Sequence, residues 1–202
     1  MQKIDVVRAL AAQCNPDDLF IHSIGCIQDD WWNYRPGGVD NTFSPHMLGS
    51  ISSTALGLAL ALPHRRVVSL ETDGSVLMNA GIMCTIGAER PPNLTIVVFD
   101  NGCYESIGCP LTLTSINTDL AKMAEGAGCI NCATARDVET FSAEARRLLT
   151  DSEMGFLVAK VEIGTYPWPE DKKKDTDGVE DKYRFMRYVE KLEGIRVHRI
   201  HN

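Results

Sequence analysis

The chain has 202 residues, of which 44% are hydrophobic, and a formal net charge of −7. This acidic balance argues against nucleic-acid binding, because Lys and Arg side chains must neutralise the phosphates there. No stretch reaches the roughly 18 consecutive apolar residues that a membrane-spanning helix needs. Residues 1–10 are amphipathic and lack the apolar core of a signal peptide. We therefore expect a cytoplasmic protein.

Predicted strands and helices alternate along the chain. Apolar, β-rich runs predict strands at residues 19–24, 67–71, 94–99, 128–133 and 156–162. Helical patterns lie at residues 45–62, 75–89, 119–127 and 137–151, and a last helix is predicted from Val179, after a charged loop at 170–177. This alternation predicts an α/β fold, a three-layer sandwich with a mostly parallel central sheet. We expect one domain over residues 1–202, with the charged loop and final helix in the part after about residue 166.

Residues 28–44 interrupt the alternation. The segment contains Trp31, Trp32 and a Pro-Gly-Gly turn. It is too long and turn-rich for a simple connection, and such insertions are often binding loops. A packed surface loop is the alternative, and the sequence does not decide between the two.

The seven cysteines are irregularly spaced, at positions 14, 26, 84, 103, 109, 129 and 132. Most have apolar or strand-like neighbours, which predicts reduced, buried thiols. The spacing of Cys129 and Cys132 fits a redox pair or half of a metal site. It also fits a short strand with the turn beside it, because no second such pair or nearby His completes a tetrahedral set.

Polar residues follow two predicted strands, at the carboxyl ends where open parallel sheets bind ligands. Asp73 follows the strand at 67–71, and Asn101 follows the strand at 94–99. If these strands are neighbours, about 4.8 Å apart, both side chains can reach one ion. A carboxylate and an amide oxygen, completed by a backbone carbonyl, suit Mg²⁺. A phosphate ligand is then implied, because Mg²⁺ is commonly shared with substrate phosphates.

Gly74 and Ser75 strengthen this interpretation. Gly74 lets the backbone approach a ligand closely, and Ser75 opens the helix predicted at 75–89, whose first N–H groups favour an anion. Asp-Gly and Asn-Gly are also common turn pairs, which is the alternative for either pair alone. Together, at two strand ends, they favour a diphosphate–metal site.

The run Asp73-Gly74-Ser75, with Asn101 placed 28 positions after Asp73, resembles the signature of thiamine diphosphate enzymes, which is Gly-Asp-Gly followed by Asn. The resemblance implies the pyrophosphate-binding type of fold. It implies that the side chains of Asp73 and Asn101 and the carbonyl of Cys103 bind Mg²⁺. It also implies that Gly74 and Ser75 hold the diphosphate.

Residues 46–49 resemble the family's segment that passes beneath the cofactor. In that segment a bulky apolar side chain lies between the two rings of the cofactor. This makes Leu48 that side chain and places the backbone of His46 and Leu48 at the aminopyrimidine edge. A plain close-packed helix is the alternative. One departure is Thr72, which stands where the family has its first Gly and whose side chain must point away from the cofactor. The implied cofactor site comprises His46, Leu48, Gly49, Asp73, Gly74, Ser75, Asn101, Cys103 and Tyr104.

Within the family, residues 44–162 are most similar to the β subunits of sulfopyruvate decarboxylases and to the matching part of phosphonopyruvate decarboxylases. The resemblance implies a thiamine diphosphate- and Mg²⁺-dependent decarboxylase or carboligase acting on a small 2-oxo acid. The family also needs a pyrimidine-binding domain, whose Glu activates the cofactor, and 202 residues hold only one domain. We therefore expect that Glu on a separate α subunit in an α2β2 assembly, and we assign no catalytic residue to this chain.

Two other functions fit the same motif. One is the β subunit of a 2-oxo acid:ferredoxin oxidoreductase, although the cysteines lack a convincing iron–sulfur spacing. The other is a non-catalytic subunit that only assembles with others, although such a subunit would not need Asp73 and Asn101.

Overall fold

The computed structural model describes residues 1–174 and 177–197, apart from the side chain of Cys26. Within them the strands are β1 Leu19–His22, β2 Thr42–Phe43, β3 Val67–Thr72, β4 Leu94–Asp100, β5 Asn131–Ala135 and β6 Gly155–Lys160. The helices are α1 Lys3–Ala11, α2 Cys26–Tyr34, α3 Ile51–Ala61, α4 Asp73–Met78, α5 Ile82–Glu89, α6 Leu120–Gly126, α7 Val138–Thr150 and α8 Gly178–Glu193.

The strands form one sheet in the order β2-β1-β3-β4-β6-β5, and every pair in it is parallel. The predicted α/β architecture is confirmed. Strands buried on both faces are apolar almost throughout, and β4 is buried along its whole length. Alternate residues of β4 face opposite layers. Ile96 belongs to the apolar core that includes residues of α3, α5, α6 and α8, and Val97 belongs to the core that includes residues of α1, α2 and α7. The site described below lies at the carboxyl edge of β3 and β4.

Two predicted helices are shorter or broken. The helix expected at 75–89 is two helices, α4 and α5, because Asn79 leaves the helical conformation (φ −143°, ψ 52°) and its side chain donates to the carbonyl of Gly49 at 2.9 Å. The helix expected at 45–62 begins only at Ile51, because His46 and Gly49 both have positive φ (54° and 81°). Both differences come from contacts between distant segments, which local periodicity does not contain.

The prediction of a loop over residues 28–44 is wrong in its first part, which continues α2, and residues 42 and 43 add the edge strand β2. Trp31 is fully buried and packs on Phe20 with ring centroids 4.7 Å apart. The helix is held by this tertiary burial rather than by its polar-rich sequence.

The boundaries of other elements differ slightly from the predicted ones. The strand predicted at 128–133 is β5, which begins at Asn131 after a turn at Gly128 (φ 104°). The predicted final helix is α8, and residues 175 and 176 of the predicted charged loop lie outside the described residues. No helix in the described part of the chain combines the length and apolar character needed to cross a membrane. The extent of the domain over residues 1–202 stays a prediction.

Candidate functional site

Asp73 is the first residue after β3, and Asn101 is the first after the neighbouring strand β4. The Asp73 side chain is 1% exposed. Its Oδ2 accepts hydrogen bonds from the hydroxyls of Thr112 and Thr114 (3.1 Å from the latter), while its Oδ1 has no hydrogen-bond partner among the described residues. Burial raises the pKa of Asp73. A buried, unpartnered carboxylate oxygen is unfavourable on its own, and a bound cation would satisfy it.

The loop after β4 supplies further oxygen atoms. Asn101 is oriented at both ends of its amide: Oδ1 accepts from the N–H of Cys103 at 3.1 Å, and Nδ2 donates to Glu105 at 2.8 Å. Asp100 accepts from Thr114 at 2.8 Å and pairs with Lys160, which ties the loop to β6. The amide oxygen of Asn101 keeps a second lone pair for a metal. The predicted donors therefore fit a Mg²⁺ ion shared with phosphate.

The prediction of reduced thiols is wrong for Cys103 and Cys109, which form a disulfide. The chain reverses between them, with the N–H of Tyr104 bonded to the carbonyl of Pro110, so that the two Cα atoms are 5.0 Å apart. Cys84 is exposed rather than buried. Cys132 lies in β5 and donates to the carbonyl of Cys129 in the preceding turn, as expected for the strand-and-turn interpretation.

A cavity of about 300 Å³ opens beside this loop. Gly74 forms part of its wall, and a Cβ at that position would lie 2.3 Å from the ring of Tyr104, so any other residue would displace that ring. Five of the predicted cofactor residues line the cavity. They are Leu48, Gly74, Asn101, Cys103 and Tyr104.

Ser75 has a different position from the one expected. The helix begins at Asp73 rather than at Ser75, and Thr72 is its N-cap, with its hydroxyl accepting from the N–H of Ser75 at 3.3 Å. The Ser75 hydroxyl is fully buried and accepts from the N–H of Gly49 at 3.0 Å. Ser75 thus fixes the segment that carries Leu48. The hydroxyl of Thr72 caps the helix, while Thr72 also lines the cavity.

The segment before α3 is clamped from both sides. Gly49 is bonded to Ser75 through its N–H and to Asn79 through its carbonyl, and Ser52 donates twice to the buried Glu71 (2.9 and 2.7 Å). Burial raises the pKa of Glu71. These bonds hold the backbone that presents Leu48 to the cavity.

His46 is oriented away from this cavity. Its N–H donates to the hydroxyl of Ser44 at 3.2 Å, and its Nε2 lies 3.4 Å from Asp181 of α8. Its ring lines an adjoining cavity instead. Asp73 and Ser75 flank Gly74 in the chain, and Gly49 is bonded to Ser75, so these three residues adjoin the five that line the cavity. The His46 side chain packs against α8, and the role expected for its backbone stays a prediction.

The start of α2 is a part of the site that sequence reasoning missed. Gly25 precedes this nine-residue helix with φ 91°, and among the described residues no side chain caps the helix. Ile24, Gly25 and Ile27 line the cavity. The free N–H groups of a helix start favour an anion. The available indication was Gly25, directly after the first predicted strand.

His22, at the end of β1, is a buried base near the site. Burial lowers its pKa to about 4, and its Nδ1 contacts the carbonyl of Ser23 at 2.9 Å. It is therefore neutral at neutral pH, which fits a structural role.

This burial predicts a pH dependence of stability. The unfolded chain takes up a proton at His22 near pH 6.5, whereas the folded chain does so only near pH 4. Stability is therefore lost as the pH falls from about 6.5 to about 4, by about 3 kcal/mol from this group. Urea unfolding at pH 7 and pH 4 measures this loss. Between the two pH values, the free energy of unfolding of His22→Gln should fall by about 3 kcal/mol less than that of the wild type. An equal loss in His22→Gln and in the wild type would contradict the prediction.

Comparison with known proteins agrees with this geometry. Residues 23–159 match the family model described as thiamine pyrophosphate enzyme, C-terminal TPP binding domain. The chain belongs to this family, the thiamine pyrophosphate (thiamine diphosphate) enzymes. The predicted cofactor, thiamine diphosphate, is thereby confirmed, while Mg²⁺ stays a prediction.

Curated relatives show which enzymes of this family the chain resembles. The chain is 30% identical over 193 residues to sulfopyruvate decarboxylase subunit beta of Methanocaldococcus jannaschii, covering 94% of this chain and 98% of the relative. It is 32% identical to the subunit of the same name from Methanococcus maripaludis, over 87% of this chain and 91% of the relative. Phosphonopyruvate decarboxylase of Streptomyces viridochromogenes is 44% identical over 81 residues, 40% of this chain and 20% of that protein. The predicted resemblance to these decarboxylases is confirmed.

Solved structures support the fold. Thiamine diphosphate-dependent 4-hydroxybenzoylformate decarboxylase of Rhodococcus jostii RHA1 superposes with a TM-score of 0.71 at 18% identity, over 82% of this chain. The chain spans about a third of that protein, 33% of its length. The predicted thiamine diphosphate-binding fold is confirmed.

Proposed function

We propose that the chain is the cofactor-binding subunit of a heteromeric decarboxylase acting on a small 2-oxo acid with a sulfonate or phosphonate group. The observation that carries this proposal is the end-to-end likeness to the M. jannaschii protein, which is itself named as a β subunit. The location proposed for this enzyme is the cytoplasm, as expected from the sequence.

The residues of this chain would hold the cofactor by its diphosphate. Asp73, Asn101 and the carbonyl of Cys103 would bind Mg²⁺, and Gly74 would let the backbone approach the phosphates. The cofactor, when bound, supplies the electron sink through which a 2-oxo acid loses CO₂. Leu48 would support its bent shape. Apolar walls, including Ile27 and Phe99, would exclude water.

The activating Glu is proposed to come from a partner subunit. Glu105 lines the cavity, but its Oε2 accepts from Asn101 and its Oε1 accepts from the N–H of Gly164 (3.1 Å) and the hydroxyl of Thr165 (2.8 Å). Glu105 is thus occupied in holding the loop. This supports a pyrimidine-binding α subunit as the source of the activating carboxyl. The α2β2 assembly is proposed from the sequence resemblance alone.

Exposed apolar side chains near the cavity support such a partner. Ile107, Leu111 and Ile116 are 72%, 68% and 70% exposed. All three lie in the loop between β4 and α6, and Met78 and Met47 are exposed on the segments beside it. Large apolar groups clustered around a ligand site are typical of a protein–protein interface. A second chain docked there would close the cavity.

The adjoining cavity supports a substrate with a second anionic group. It measures about 440 Å³, shares Ile24, Gly25 and Ser106 with the first, and is lined by His46 and Lys174. The Lys174 ammonium lies 2.9 Å from Asp181 and 4.2 Å from the centre of the Trp32 ring, which fixes its position. A sulfonate or phosphonate tail would find a cation there.

The two other functions considered from the sequence have less support. Two of the seven cysteines are used in the Cys103–Cys109 disulfide, which leaves fewer for an iron–sulfur cluster. The unpartnered oxygen of Asp73 is difficult to explain in a subunit that only assembles with others.

The test measures CO₂ release by the pure chain and by the chain together with its partner subunit, both in the presence of thiamine diphosphate and Mg²⁺. We expect CO₂ release from 3-sulfopyruvate or 3-phosphonopyruvate only with the partner, and at least about tenfold less from pyruvate, because it lacks the second anion that a charge-assisted contact recognises. Full turnover by the chain alone, or equal rates with pyruvate, would contradict the proposal.

An interface variant serves as control. Leu111→Asp should prevent co-elution with the partner and with it the turnover. The matched variant Leu60→Asp, on the far end of α3 and also exposed, should leave both unchanged.

A further inference from the structure

Lys3 places a charged ammonium group in the apolar face of helix α1. Helix α1 buries Lys3, Val6, Val7 and Leu10, the spacing by which one helix face packs on a core. Lysine is rarely buried unless it is paired. Lys3 is only 5% exposed, so this position carries a charge where the pattern calls for an apolar side chain.

The ammonium of Lys3 is close to two carboxylates without being hydrogen-bonded to them. Its Nζ lies 3.7 Å from Asp30 Oδ2 and 3.7 Å from Glu105 Oε2. Within the described residues, this nitrogen and Asp30 Oδ2 have no hydrogen-bond partner. An ammonium has three donors. The donors of Lys3 are therefore unused by the described residues, and the nitrogen itself has almost no solvent-exposed surface.

Lys3 also lines the cavity of about 300 Å³ that contains Gly74 and Asn101. It is connected to the metal end of this cavity, because Glu105 Oε2, its neighbour, also accepts from Asn101. Lys3 lies outside residues 23–159, which match the family domain. The family match therefore assigns it no role.

We propose that Lys3 binds the diphosphate of the cofactor, as a cation that α1 adds to the family's own binding site. Glu105 lines this cavity, Asp30 lies beside Lys3, and Asp73 precedes Gly74 of the cavity wall. A diphosphate would be repelled by these carboxylates without added positive charge. A bound Mg²⁺ supplies part of this charge, and Lys3 supplies a directed donor. The contact is charge-assisted and shielded from water.

The experiment measures binding by calorimetry in Mg²⁺, with the full chain in complex with its partner. The probes are thiamine diphosphate and thiamine, which lacks the diphosphate. We expect Lys3→Met to weaken thiamine diphosphate binding by about 10- to 100-fold, the range for a hydrogen bond to a charged group, and to leave thiamine binding unchanged. Lys3→Arg should recover part of the loss. Lys122→Met, which removes a surface ammonium on α6 that is 79% exposed, should match the wild type.

A second variant separates binding from folding. Lys3→Met alone leaves Asp30 buried without its cation, so Lys3→Met with Asp30→Asn removes both charges together. This double variant should melt close to the wild type and still bind thiamine diphosphate at least about tenfold more weakly. Equal affinity in wild type and Lys3→Met, or an equal loss for both probes, would overturn the proposal. The inference rests on the proposed cofactor-binding role, and a wild-type complex that fails to bind thiamine diphosphate would instead reject that role.

Discussion

Replacing Asp73 by Asn is expected to weaken Mg²⁺-dependent binding of thiamine diphosphate by about 100-fold or more. The variant keeps the shape of the side chain but removes the charge that would face the metal. Removing one partner of a buried ion pair costs about 3–5 kcal/mol, and each 1.4 kcal/mol is about a factor of ten in affinity. Calorimetry of thiamine diphosphate with and without Mg²⁺ measures the loss.

The same variant should leave the free protein folded. The amide oxygen of the substituted side chain can still accept from Thr112 and Thr114, and the unpartnered carboxylate oxygen is no longer buried as a charge. We expect a melting temperature equal to or above that of the wild type without cofactor. Asp5→Asn, on the exposed face of α1, is the control for removing one acidic charge. If Asp73→Asn bound thiamine diphosphate in Mg²⁺ with wild-type affinity, Asp73 would not be a metal ligand.

The positions of the proposed metal donors at the sheet edge could be predicted because they depend on local sequence. Asp73 and Asn101 each follow a strongly apolar strand, and the carboxyl ends of neighbouring parallel strands meet at one edge. The order of the strands, with β3 beside β4, was an assumption that the structure bears out. Gly74 was expected to let a ligand approach the backbone closely. The group that lies against it in the structure is the ring of Tyr104, and the ligand contact stays a prediction.

Other parts of the site depend on contacts between distant segments. The break between α4 and α5 exists because Asn79 bonds to Gly49, 30 positions away. Helix α2 was missed because its stability comes from the burial of Trp31, while its own sequence is rich in polar and turn-forming residues. Lys3 was not considered, since a lysine in a short amphipathic helix is normally solvated.

The disulfide shows the same limit. Six positions separate Cys103 from Cys109, and nothing in that spacing shows that the loop reverses. The reversal is made by an antiparallel bridge between Cys103 and Leu111. The sequence therefore located the loop that lines the cavity, but the covalent link that shapes it was not expected.

Replacing Gly87 by Ala is expected to destabilise the fold by about 3 kcal/mol or more. The Cβ would lie 2.0 Å from the carbonyl oxygen of Ala127 and 3.1 Å from the Cα of Gly128. Both are backbone atoms, so no side chain can turn away, and overpacking of this kind costs about 1–3 kcal/mol or more. For a chain of this size the melting temperature should fall by roughly 6–12 °C.

Gly57→Ala provides the matched control, since it also adds one methyl group to a helical glycine. No described heavy atom outside its own helix neighbourhood lies within 4 Å of the added Cβ, and alanine is favoured over glycine in a helix by about 0.5–1 kcal/mol. Gly57→Ala should therefore melt at or slightly above the wild type, as followed by circular dichroism. If Gly87→Ala melted at the same temperature as Gly57→Ala, the close approach of α5 to the turn after α6 would not make Gly87 necessary for stability. Because α6 follows directly from the loop that carries Asn101 and Thr114, the expected shift of that turn should also weaken thiamine diphosphate binding in Gly87→Ala but not in Gly57→Ala.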